Sequence, residues 1–158
     1  MAYEDTSVSV SKSQESIRKL LRDAGAFSFA AISETDPITN RSTEGFHSKV
    51  TIGIQVYTIR IMATVPDMPV PKRAYRGSTS ATAKQISDYR DQAERKIWRV
   101  LYYHMKDIFE AASSGVLDFR ELILPYLVTS DGRSVAEHIL PRLEAALTSP
   151  RSLLGNGR

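Results

Sequence analysis

Residues 80–114 read SATAKQISDYRDQAERKIWRVLYYHMKDIFEAASS. Within them Ile86, Tyr89, Ala93, Ile97, Leu101, His104, Ile108 and Ala111 recur at steps of three and four, and Val100, Met105 and Ala112 widen the stripe. An apolar stripe of that length has to be covered by the rest of the chain. Thr82 or Ser80 offers a capping hydroxyl, no Pro or Gly interrupts the run, and Gly115 supplies the left-handed residue that commonly closes a helix. The pattern predicts one long helix over 80–114. Trp98, the sole tryptophan, borders the stripe and is expected at the core's edge, partly buried, with its indole N–H seeking an acceptor.

The opposite face carries charge. Arg95, Arg99, Tyr102 and Lys106 follow one another at spacings of four, three and four, with Arg90 and Lys96 on the flanks, which is a row able to grip phosphates. Asp91 precedes Arg95 by four residues and Glu110 follows Lys106 by four, so ordinary pairing along the helix competes with that use.

Before the helix, two alternating runs change parity. Phe46, Ser48, Val50 and Ile52 share one phase and Tyr57, Ile59, Ile61, Ala63 and Val65 the other, with the switch at Gly53. A hairpin turn or a bulge does this, since each strand must return its apolar set to the same core. With the run Ala26 to Ser33, where Phe27 and Phe29 fall on one side, the prediction is a three-stranded antiparallel meander: Ala26 to Ser33, Gly45 to Ile52 and Gln55 to Thr64. His47, Lys49, Thr51, Thr58 and Arg60 would point outward. A three-stranded sheet has one apolar face and needs a cover, which the long helix provides.

Residues 66–80, PDMPVPKRAYRGSTS, link meander to helix and hold three of the seven prolines. Lys72, Arg73 and Arg76 cluster there around Tyr75. An extended basic and aromatic segment suits a nucleic-acid backbone, and the competing reading is a plain linker.

At the N-terminal side, Ser11 with Gln14 makes a capping-box pattern ahead of Ile17, Leu20, Leu21 and Ala24, a short helix ending at Gly25. After the long helix, Asp118 with Glu121 opens a short helix that Pro125 ends or bends. Ser134 with Glu137 opens the last one, with Val135, Ile139, Leu140, Leu143, Ala146 and Leu147 on its apolar side and Pro141 kinking or restarting it. The fold class expected is α+β in a single domain over 11–147, with flexible tails at 1–10 and 148–158.

The composition is that of an ordinary globular chain, 42% hydrophobic and 25% charged in 158 residues, and its net charge of +3 decides little about partners. Without cysteine there is no disulfide, thiolate chemistry or cysteine-ligated metal, and a cytoplasmic setting is expected. No apolar run is long enough for a bilayer span and the N-terminus lacks a signal-peptide pattern, so no membrane partner is expected. His47, His104 and His138 have no ligand spacing between them, and phosphate-loop and nucleophile-elbow motifs are missing. No catalytic, metal or cofactor residue is therefore assigned.

Five pieces, IRKLL after the Ser-rich opening, YTIRI before the Pro-rich loop, RKIWRVL, SSGVLDFRE and SDGRSVAEHILPRLEAAL, together resemble small uncharacterised proteins encoded by tailed bacteriophages and prophages. The resemblance implies a viral accessory protein in the host bacterial cytoplasm, and carries no activity with it. The leading expectation is a nucleic-acid-associated factor, binding DNA or RNA with weak sequence preference through Lys72, Arg73, Tyr75, Arg76, Arg95, Arg99 and Lys106. The alternative is an adaptor that binds a host or phage protein, and a metal-dependent enzyme acting on nucleic acid stands third.

Overall fold

The computed structural model describes residues 6–67 and 81–148. The elements run α1 (Val10–Asp23), β1 (Ala26–Thr35), β2 (Ser42–Ile52), β3 (Gln55–Thr64), α2 (Ala83–Ser113), α3 (Phe119–Ile123), one 3-10 turn (Leu124–Tyr126) and α4 (Val135–Thr148). The α+β architecture expected from the sequence is the one observed. The basic loop residues Lys72, Arg73, Tyr75 and Arg76 lie outside the described residues.

The sheet is an antiparallel meander in the order β1-β2-β3. Gly53, at φ 64°, and Ile54 form the loop between the paired residues Ile52 and Gln55. A positive φ at the first loop position alone is the hairpin turn that only glycine enters cheaply, and it fixes the register that brings Phe46 opposite Ile61 and Ser48 opposite Ile59. On the outer face Gly45 lies under Met62. A Cβ at Gly45 would overlap the Ile61 carbonyl oxygen and come within 2.7 Å of the Met62 sulfur.

One side of the sheet is covered by helices. Phe46, Val50, Ile59 and Ile61 meet Ile17 and Leu21 of α1, Ala93, Ile97, Trp98, Leu101, Met105 and Ile108 of α2, and Ile123 of α3 in a single core. The 31-residue α2 is about 46 Å long at 1.5 Å per residue and outreaches the sheet, so Ile86 near its start remains exposed. Its start is a full capping box: Thr82 Oγ accepts from Gln85 N at 3.2 Å and Gln85 Oε1 accepts from Thr82 N at 2.9 Å. Gly115, at φ 73°, follows its end.

In five places the structure departs from the sequence pattern. Helix α1 is capped by Ser9, whose side chain accepts from Lys12 N at 3.2 Å, and not by Ser11; the cap two residues earlier lets Val10 join the helix and pack against the core. Part of the expected N-terminal tail is also held, since Gln92 donates to the Thr6 carbonyl at 3.4 Å. Asp118 caps α3 through Arg120 N at 2.8 Å and binds the Arg120 guanidinium at 2.9 Å, so Arg120 takes the place expected of Glu121. Phe27 does not share a side with Phe29: a bulge between Ala26 and Ser28 inserts a residue, leaving Phe27 62% exposed while Phe29 stacks on Phe46 with ring centres 5.5 Å apart. Trp98 is not at the core's edge but fully buried, because a carboxylate waits for its N–H inside.

Candidate functional site

The predicted basic row is on one face of α2, but its members are differently employed. The Arg99 guanidinium carbon stands 4.9 Å from the Tyr102 ring centre and 4.6 Å from that of Tyr103, and its Nη2 donates to the Tyr103 hydroxyl at 2.8 Å. Such stacking is worth about 0.5–1 kcal/mol at a surface and holds the side chain in place. Lys106 pairs with Glu110 at 3.4 Å, and that carboxylate holds its ammonium above the usual range. The pairing of Asp91 with Arg95, equally expected from spacing, does not form among the described residues, where Arg95 has no ion pair. The row is thus one open arginine, one clamped and one paired lysine.

A different surface stands out at the other end of the chain. Helix α4 opens with a capping box, Ser134 N donating to Glu137 Oε2 at 2.6 Å and Glu137 N to Ser134 Oγ at 3.2 Å. It continues through Pro141 without breaking. None of its 14 residues is buried, and Ile139, Leu140, Leu143 and Leu147 are 51%, 52%, 47% and 71% exposed. The spacing of these residues announces an amphipathic helix; the structure adds that the described residues leave its apolar face uncovered.

The loop ahead of α4 is tightly tied. Leu127 and Val128 run along β3, with Val128 N donating to Thr58 O at 2.8 Å, and Val128 bridges to Ser134. The Thr129 hydroxyl lies 2.5 Å from Asp131 Oδ1 and 3.0 Å from His138 Nε2, which is itself 3.1 Å from Asp131. The Thr129 hydroxyl, then His138 and the Arg133 amide, hold the Asp131 carboxyl well below the usual range. Hydroxyl, imidazole and carboxylate invite comparison with a nucleophilic triad. A relay needs the hydroxyl and the carboxylate on opposite ring nitrogens, and here both face Nε2, so the cluster is a brace that fixes α4.

A carboxylate cluster also forms. Glu44, 8% exposed, accepts from Ser33 Oγ at 2.5 Å and from Trp98 Nε1 at 3.3 Å. Burial raises the Glu94 carboxyl pKa, with the nearby charges of Glu44 and Asp91 adding to it. Sequence spacing shows nothing of this, because Glu44 and Glu94 come from different elements. Among the described residues no three His, Asp or Glu side chains are placed to hold a metal ion. His104 is a structural partner, its Nε2 2.8 Å from the Tyr126 hydroxyl. No helix among the described residues is long and apolar enough to cross a membrane. Comparison with protein-family models, with curated proteins and with solved structures finds no match to this chain.

Proposed function

We propose that this protein is a non-enzymatic adaptor that takes an amphipathic helix of a partner protein onto α4, in the phage and host setting that the resemblance implies. The observation that carries this is a braced, capped helix whose apolar side chains stay in solvent. Ala136, Leu140, Leu143 and Leu147 follow at four, three and four, the seam spacing of paired helices. Glu137 and Glu144, seven apart, border the seam on one side and favour a partner helix flanked by Lys or Arg. They also oppose pairing of α4 with a second copy: antiparallel pairing would set glutamate against glutamate, and parallel pairing would set it against Ile139 or Ala146.

The test is titration of the full chain with a leucine-heptad peptide carrying lysines beside its seam, against the same peptide carrying glutamates. Saturable binding of the basic peptide, lost in the Leu140→Glu/Leu143→Glu variant, is expected, and that variant should fold because neither side chain is in the core. Equal binding by wild type and variant would overturn the reading.

A nucleic-acid role is the second reading, supported by Arg99 held between Tyr102 and Tyr103 beside Arg95. It ranks lower because Lys106 is engaged by Glu110. If it holds, short oligonucleotides at low salt bind and Arg95→Glu/Arg99→Glu weakens every sequence alike.

A further inference from the structure

We infer that the cleft between α1 and the outer edge of β1 is a second docking site, which accepts an extended segment of a partner protein bearing an acidic side chain. The first ground is the backbone. In the order β1-β2-β3, β2 is the only strand beside β1 among the described residues, while the far edge of β3 is already met by Leu127. Among the described residues the outer edge of β1 therefore presents unpaired N–H and C=O groups. From Ser28 to Ser33 the pairing with β2 is regular and the sequence, SFAAIS, contains no Lys, Pro or other residue that proteins use to blunt an open edge. A ladder of backbone donors and acceptors is matched by another extended peptide, not by a nucleic acid.

The second ground is the cleft beside that edge. It is an open cleft of about 380 Å³ between the end of α1 and the start of β1, where the bulge leaves Phe27 exposed. Phe27 and Leu21 give it apolar wall, and Arg18 and Arg22 line it from α1. Arg18 rests 5.2 Å above the Phe29 ring and is paired with Glu15 at 3.0 Å, whereas Arg22, in the last turn of α1, has no ion pair among the described residues. A strand added to β1 passes these guanidinium groups, and a carboxylate on it completes the charge that Arg22 leaves open. This surface is separate from α4, so either can fail alone.

Blocked octapeptides alternating valine and threonine, one with a glutamate near its end and one with lysine there, supply the probe for the full chain. The glutamate peptide should slow amide exchange at alternate positions from Ser28 to Ser33 and bind roughly fivefold tighter than the lysine peptide, the size of one exposed ion pair. Arg22→Glu should reverse that preference, and Leu140→Glu/Leu143→Glu should leave it intact. Absence of protection along β1, equal affinity for the two peptides, or protection of β1 by an oligonucleotide instead would overturn the inference.

Discussion

The Arg133 guanidinium donates, at 3.4 Å, to the carbonyl of Glu137, the acceptor four residues before Pro141 that the proline ring deprives of its helical N–H. This contact explains how α4 carries an interior proline without breaking. Pro141→Ala should raise the helix content of α4, with proline costing up to roughly 3 kcal/mol in a helix interior. Arg133→Ala should weaken α4 by about 0.5 kcal/mol in the natural sequence and by close to nothing beside Pro141→Ala. Far-ultraviolet circular dichroism of the four proteins checks the coupling; an equal effect of Arg133→Ala in both backgrounds would disprove it.

Among the described residues Glu44 is the acceptor of the buried Trp98 N–H. Glu44→Ala should cost about 1–3 kcal/mol, because it orphans that donor, and Glu44→Gln, which keeps an oxygen, should cost less. Trp98 is the sole tryptophan, so its emission reports directly. A blue-shifted maximum is expected in the natural protein, and emission at the fully solvated position would contradict its burial.

Ser13 in α1 is fully buried and its hydroxyl has no hydrogen-bond partner among the described residues. Ser13→Ala removes the unpaired group at little change in volume. A gain of about 1 kcal/mol in denaturant unfolding is expected; a loss would mean that the hydroxyl has a use.

The Glu94 carboxyl titrates above its ordinary 4.5, chiefly through burial and secondarily through Glu44 and Asp91. The unfolded chain therefore loses this proton first as pH rises, and the folded state is penalised from about that value upward, fully so above the folded pKa. Glu94→Gln should raise the melting temperature at neutral pH, with the gain fading as the pH falls below 4.5. A gain that is the same at both ends would point to a cause other than ionisation.

The long helix, the meander and their stacking were legible because each rests on local signals: the stripe from Ala93 to Ile108, the parity switch at Gly53, the Thr82 cap. The side that Phe27 takes is hidden from the sequence, because a bulge shifts phase without leaving a mark there. The full burial of Trp98 leaves no local signal, because its partner Glu44 is 54 residues away. For the candidate sites, spacing foretold the Lys106–Glu110 pair but not the Tyr102 and Tyr103 clamp on Arg99. The apolar side of α4 was visible too. Whether anything covers it is decided by where the loop braced at Thr129, Asp131 and His138 sends the helix, which no local pattern records.

Amide exchange over α4, with and without the lysine-flanked heptad peptide, tests the adaptor reading most directly. In the dilute free protein residues 135–148 should exchange faster than the centre of α2, since none of them is buried among the described residues. The peptide should then slow α4 and leave α2 unchanged. Protection of α4 equal to that of α2 before any peptide is added, or no change on adding it, would contradict the account.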